Sequence, residues 1–227
     1  MERFVVRMWL PDRPGALGAV ASRIGAVRGD VVGIDILERG AGRAIDELVV
    51  ELPDPGLVAL LVSEIDQVDG VDVEDVRPAP EHLHDPRLDA LETAAALVAA
   101  ASPSALLDVL VARARLDFET EWSAIVDVDD RLLRASDGAP PPPAWLIAFV
   151  GGSRSSAAVT AGECGPDDIA WAGLAAGRLA LVLGRCGRPF RARERRQLAA
   201  VARIADHQHG ALTTRAAPPI LAEPTPA

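Results

Sequence analysis

The chain has 227 residues, 49% of them hydrophobic and 25% charged, with a formal net charge of −10. That balance belongs to a globular protein of one large or two small domains and excludes a disordered chain. The acidic excess argues against nucleic acid as the main partner, and no run approaches the ~20 apolar residues that a membrane span requires. Met1-Glu2-Arg3-Phe4 lacks the charged-then-apolar layout of a secretion signal, and two cysteines, Cys164 and Cys186, make no disulfide framework. The expected compartment is the cytoplasm.

In chain order, Phe4, Val6, Met8 and Leu10 alternate along a first strand, residues 3–10. Leu17, Val20, Ala21, Ile24 and Val27 then recur at helical spacing over 15–28. Between them stands Asp12-Arg13-Pro14-Gly15-Ala16-Leu17, with Asp12 as candidate helix cap and Pro14 in the first turn. Gly15 lets backbone approach a ligand closely, and the free N–H groups of a helix start suit a carboxylate. Val31–Leu37 and Glu47–Leu52 read as strands around the glycine turn Arg39–Arg43. A helix striped by Leu57, Leu61, Ile65 and Val68 follows, and Val71–Glu74 supplies a last short strand. Strand, helix, strand, strand, helix, strand is the ferredoxin-like βαββαβ order.

That order, the Asp-Arg-Pro-Gly-Ala-Leu turn and the Gly-Asp-Val-Val opening of the second strand (Gly29 to Val32) resemble an ACT domain, a small regulatory module that often binds amino acids. The resemblance covers roughly residues 3–78. It implies a homodimer in which the first strand–helix turn holds the amino and carboxylate groups of a small ligand between two copies. Carried onto this chain, the ligand-binding residues are Asp12, Arg13, Pro14, Gly15, Ala16 and Leu17 with Asp30, Val31 and Val32. Asp30 stands where such domains often carry Asn; an ionised Asp accepts from an ammonium and repels a carboxylate.

Pro78-Ala79-Pro80 opens a linker, and Leu88, Leu91, Ala95 and Val98 stripe a connector helix. Ser102-Pro103 caps a new helix running to about Arg115. Strand-like runs follow at Trp122–Val128, Arg131–Arg134, Trp145–Val150, Ala157–Ala161, Asp168–Leu174 and Arg178–Gly184, and a helix spans about Arg193 to His207. The ending Leu-Val-Leu-Gly-Arg-Cys-Gly-Arg-Pro-Phe (Leu181 to Phe190), with the Arg- and Leu-rich helix after it, makes this half similar to a GAF domain, a sensor module of five or six antiparallel strands with flanking helices. The expected layout is an ACT domain over 1–80, linker and connector over 81–102, a GAF-like domain over 103–212 and a disordered tail over 213–227, α+β throughout.

Catalytic motifs are missing: no phosphate-binding glycine loop, no Gly-x-Ser-x-Gly, no His-Glu-x-x-His, and no lysine anywhere. The reading is therefore not an enzyme, with no cofactor and no metal. His82/His84 and His207/His209 match no established zinc spacing; the second pair is expected near a helix C-terminus. The two cysteines read as small buried hydrophobes. Gly151–Ser156 reads as a hairpin loop, or alternatively an anion nest. From Trp171 onward nine arginines stand against three acidic residues. The Arg191, Arg193, Arg195 and Arg196 run can bind phosphate or pair with the acidic first half, within or between chains.

The expected function is regulation through an amino acid or similar small metabolite at an ACT dimer interface, the signal passing through the Leu88–Ala101 helix. Two alternatives stand beside it. One is a dimeric adaptor that recruits a partner enzyme or regulator without a small ligand. The other is a sensor whose ligand sits in the GAF-like half.

Overall fold

The computed structural model describes residues 1–79, 86–156, 166–174 and 178–216. They divide into two compact units, Met1–His84 with Arg191–Glu194, and Asp85–Phe190 with Arg195–Ala227.

In the first unit, β1 (Glu2–Pro11), α1 (Ala16–Ala26), β2 (Asp30–Gly40), β3 (Arg43–Leu52), α2 (Val58–Ile65) and β4 (Asp72–Pro78) follow one another. The sheet order is β2-β3-β1-β4, all neighbours antiparallel. This is the ferredoxin-like arrangement, set by two strand–helix–strand crossovers whose second strands land on opposite sides of the first pair. Phe4, Val6, Met8 and Leu10 share one core with Val20 and Ile24 of α1, Leu48, Val50 and Leu52 of β3, and Leu61 and Ile65 of α2. Each such side chain contributes roughly 1.5–3 kcal/mol on burial. The β2–β3 hairpin turns through Ala41 (φ +52°) and Gly42 (φ +77°). Two successive positive φ values match the twist of the flanking strands.

The second unit holds α3 (Pro86–Val98), α4 (Pro103–Asp117), β5 (Trp122–Asp127), β6 (Leu132–Gly138), α5 (Pro143–Arg154), β7 (Ile169–Leu174) and β8 (Leu179–Gly184). The last helix, α6 (Ala192–Ala216), begins in the segment grouped with the first unit. The antiparallel order is β6-β5-β8-β7. One sheet face, with Ile125, Leu181 and Leu183, packs with Leu97, Leu106, Leu110, Leu198 and Ala205 of the helices. Ala124, Val126, Ala180 and Val182 point the other way, onto Leu146 and Val150 of α5. β8 is therefore buried on both faces, which is why its sequence is apolar without alternation. Ser102 caps α4 as its position predicts, its hydroxyl accepting from the Ala105 N–H at 3.2 Å.

Three expectations for this half are corrected. Trp145–Val150 is helix, not strand, so the described residues hold four strands rather than five or six. Pro143 at the helix start fixes a helical φ, and Trp145 stacks on Phe149 one turn later, centroids 5.5 Å apart. The same helix absorbs Gly151–Arg154, leaving neither a hairpin loop nor an anion nest there. The Leu88, Leu91, Val98 stripe of α3 faces solvent, and the buried side carries Leu97 and Thr93, whose hydroxyl donates to Asp117 Oδ2 at 2.7 Å. Ala157–Ala161 lies outside the described residues. Of the tail expected from Thr213, residues 213–216 continue α6.

Asp127 ties down the β5–β6 turn. Its carboxylate accepts from the Asp130 N–H (3.0 Å), Arg134 Nη2 (2.6 Å) and Arg178 Nε (3.1 Å). Burial alone would raise its pKa; the Asp130 N–H and the two guanidinium groups overcome that and hold it at about 2. A carboxylate with a depressed folded pKa stabilises above its ordinary 3.8 and loses that contribution as pH falls toward about 2. Asp127→Asn is expected to flatten the acid limb of a stability–pH profile between those values, measured by urea denaturation.

Candidate functional site

β1 ends at Pro11, and the turn that follows is held by backbone. The Asp12 N–H donates to the Gly42 carbonyl (2.9 Å), the Arg13 N–H to Pro11 (2.9 Å) and the Ala16 N–H to Arg13 (3.3 Å). Gly15, at φ +89°, swings the chain into α1 and is itself the N-cap, without a side-chain bond. Asp12 is therefore not the helix cap and Pro14 precedes the first turn, contrary to expectation. The tight turn at Arg13 and the left-handed Gly15 put Asp12 three residues upstream, where Gly42 engages its backbone and Arg39 Nε lies 4.0 Å from its carboxylate. The first helical bond across the start is Ala19 N–H to Gly15 O, at 2.9 Å. Among the described residues, no acceptor meets the N–H groups of Gly15, Leu17 and Gly18. Three unengaged donors at the positive end of a helix dipole suit an anion.

A cleft of about 250 Å³ opens beside this turn, lined by Arg13, Pro14, Gly15, Ala16, Ala19, Val68 and Asp69. It unites four of the expected site residues. Ala16 is buried, and Leu17 packs against the core.

Asp30, Val31 and Val32 lie elsewhere within one chain. Pro11 pairs with Arg43 and Arg43 with Gly40 at the turn's end of the sheet, whereas Asp30 pairs with Glu51 and Glu51 with Arg3 at the other end. Eight residues of strand separate the two levels, roughly 25 Å. A site with both parts drawn from a single copy is thus ruled out by register. Val31 touches the core; Asp30 and Val32 are exposed, Val32 in a bulge.

β3 begins four residues earlier than its alternation predicts, at Arg43, and so includes Asp46. Asp46 shares the helix-bearing face with Ala44 and Leu48, across from Met8 and Ile36. It is 4% exposed, and among the described residues its Oδ1 has no hydrogen-bond partner. Burial pushes its carboxyl above the ordinary 3.8, Arg39 pulls it down and Asp12 pushes it up. One acidic residue in the apolar phase Ala44, Asp46, Leu48, Val50, Leu52 is the sequence signal that marks it.

The remaining sequence candidates resolve individually. Cys186 is exposed rather than buried, and the Glu121 carboxylate raises its thiol pKa, the opposite of activation. Cys164, His82 and His84 lie outside the described residues. His207 and His209 stand in mid-helix, because α6 runs on to Ala216. Among the described residues, no group of three His, Cys, Asp or Glu is arranged to hold a metal ion. None of the described helices is long and apolar enough to cross a membrane. In the segment grouped with the first unit, Arg191 pairs with Glu74 and Arg193 with Asp35 (2.5 Å), so these two meet carboxylates of the acidic first half.

No protein-family model matches the chain, and no curated protein matches it either. Among solved structures, it is similar to the ACT domain of a GTP pyrophosphokinase from Chlorobium tepidum, at 15% identity over 34% of this chain and 97% of that one, TM-score 0.28. It is similar to a formyltetrahydrofolate deformylase from Pseudomonas putida, at 19% identity over 40% of this chain and 36% of that one, TM-score 0.28. A protein provisionally described as a glycine cleavage system transcriptional repressor matches over 93% of this chain and 92% of its own, at 11% identity and TM-score 0.33. The ferredoxin-like fold of the first unit rests on its own strand order and register, β2-β3-β1-β4.

Proposed function

We propose that this chain is a regulatory protein whose first unit is an ACT domain that binds an amino acid or similar small metabolite and works as a homodimer. The observation that carries this reading is the turn at Gly15. Three N–H groups without acceptors stand at a helix start, next to a cleft, and offer a carboxylate charge and hydrogen bonds together.

β2 supports the homodimer reading. Among the described residues no strand pairs with its outer side, and Val32, Ile34 and Ile36 are 36%, 51% and 36% exposed along it. A long apolar edge of this kind invites a second strand. Antiparallel pairing of β2 with β2 of a second copy, about a two-fold near Asp35, sets Asp30 opposite Gly40 of that copy. The turn of one copy and Asp30–Val32 of the other then share one end of the joined sheet. That arrangement reunites the two halves that the register separates within a chain. The second unit, read as GAF-like, receives the change; for that, the ligand must favour one of two arrangements.

A thermal-shift screen of the purified chain against the twenty amino acids tests this. A ligand at a hundred times its Kd stabilises by ~2.7 kcal/mol, a rise of a few degrees in Tm. The expected result is one or two hits, lost in Gly15→Val, where a β-branched residue is strained at φ +89°, and weakened in Asp30→Ala. Hits that survive both changes move the ligand to the second unit. A flat screen leaves the dimeric adaptor as the better reading and overturns this one.

A further inference from the structure

Arg191–Glu194, at the head of α6, is grouped with the first unit, and the rest of the helix with the second. Three of its four residues are charged, and each meets an opposite charge in the first unit. Arg191 pairs with Glu74 of β4, its guanidinium 5.0 Å from the centroid of the Trp9 ring. Arg193 Nη1 donates to Asp35 Oδ1 at 2.5 Å and to the Ile36 carbonyl at 3.4 Å, both on β2. Glu194 Oε2 lies 3.6 Å from Arg7 Nη2 of β1 and accepts from the Arg191 N–H at 2.8 Å, which closes the first helical turn on itself. Arg7 pairs with Glu47 and Glu47 with Asp35, so all three lie on the sheet face opposite α1 and α2.

Position 35 matters because of where it falls. Antiparallel pairing of β2 with a second copy about a two-fold at Asp35 sets that residue opposite itself. The Cβ atoms of directly opposed residues lie about 5 Å apart, and like charges so placed destabilise the pairing. Two Asp35 carboxylates on one face of the joined sheet therefore work against the seam. Ile34 and Ile36, exposed on the other face, work for it. With Arg193 seated, each carboxylate already holds a guanidinium, and the repulsion at the axis is cancelled.

We propose that Arg193 licenses the self-pairing of β2: the head of α6, seated on the sheet, neutralises Asp35 at the two-fold, and an unseated head leaves two bare carboxylates that hold the copies apart. This inference rests on the reading of β2 as the homodimer seam. It routes regulation of that seam through α6, an unbroken helix whose first turn belongs to one unit and whose remainder belongs to the other. The coupling is reciprocal. Whatever draws the head of α6 from the sheet weakens the dimer, and pairing of two copies favours the seated head.

Sedimentation velocity on the full chain tests it, with Arg193→Ala, Asp35→Asn and the two combined. Arg193→Ala is expected to weaken self-association about tenfold. Most of that loss is expected to return at about 1 M salt, where screening acts over ~3 Å. Adding Asp35→Asn is expected to bring association back to within about threefold of wild type, because the carboxylates that Arg193 answered are gone. Both side chains are partly exposed, so the variants fold, and unchanged urea midpoints check this. An Arg193→Ala chain that associates like wild type overturns the proposal. So does a loss that Asp35→Asn fails to rescue, which marks Arg193 as a structural contact only. Ile34→Glu with Ile36→Glu separates this inference from the reading beneath it. If that pair weakens association and Arg193→Ala does not, β2 remains the seam and only this inference falls. If neither does, the β2 reading falls with it.

Discussion

Arg185→Ala is expected to destabilise the second unit by about 3–5 kcal/mol, because several buried hydrogen bonds are lost together. Arg185 is 4% exposed and serves as the hub of the chain between β8 and α6. Its Nε donates to the Arg188 carbonyl (2.8 Å), Nη1 to Phe118 (2.9 Å) and Nη2 to Pro189 (3.0 Å). The guanidinium also lies 4.1 Å from the centroid of the Phe190 ring. Truncation leaves three carbonyls short of a donor, each costing about 1–3 kcal/mol when buried, and removes a cation–π contact worth about 0.5–2 kcal/mol. Arg185→Lys is expected to recover little, because one ammonium cannot reproduce a planar fork reaching three acceptors. Urea denaturation checks both variants. A fall in midpoint at unchanged slope supports this account, and a wild-type midpoint for Arg185→Ala would show that the carbonyls find other donors.

The double variant Ile34→Glu with Ile36→Glu is expected to weaken self-association at least a hundredfold, leaving a folded monomer at micromolar concentration. Both side chains are already exposed, so folding loses little. Across the proposed two-fold near Asp35, position 34 of one copy meets position 36 of the other. The apolar contact is therefore lost twice, and four carboxylates gather along one seam. Sedimentation velocity reads the outcome. A double variant that stays dimeric would place the interface elsewhere than β2.

Much of the first unit was legible because its elements bury one face each. Phe4, Val6, Met8 and Leu10 alternate, and Leu61 and Ile65 stripe α2, so period and burial agree. The ferredoxin-like order followed from them. Trp145–Val150 misled for the opposite reason: six apolar residues carry no clear period, and only Pro143 and the Trp145–Phe149 stack mark a helix. On α3 the helical spacing of Leu88, Leu91, Ala95 and Val98 suggested a core face, yet Leu97 and Thr93 are the residues buried there. Periodicity reveals that a face exists and not which face is covered.

At the site, the turn was readable as a local motif, since Pro14 and Gly15 act within a few residues. Asp12 was assigned a capping role that depends on the φ of Gly15, a quantity its neighbours do not reveal. The separation of Asp30 from the turn depends on strand pairing between residues distant in the chain, Pro11 with Arg43 and Asp30 with Glu51. Asp46 escaped notice because acidic residues at strand ends are ordinarily solvated; its burial is a property of the assembled sheet.

β1 and β2 are each antiparallel to β3 and so run parallel to each other, which puts the turn after β1 and Asp30 at opposite ends of the sheet. If each ligand touches the turn of one copy and Asp30 of another, a dimer holds two equivalent half-and-half sites and a monomer holds none complete. Ligand and second copy then promote each other's binding by mass action. Half-saturation falls as the concentration of the protein rises. The molecule would report the product of metabolite level and its own abundance, and a change in its expression would reset its threshold without any change in sequence.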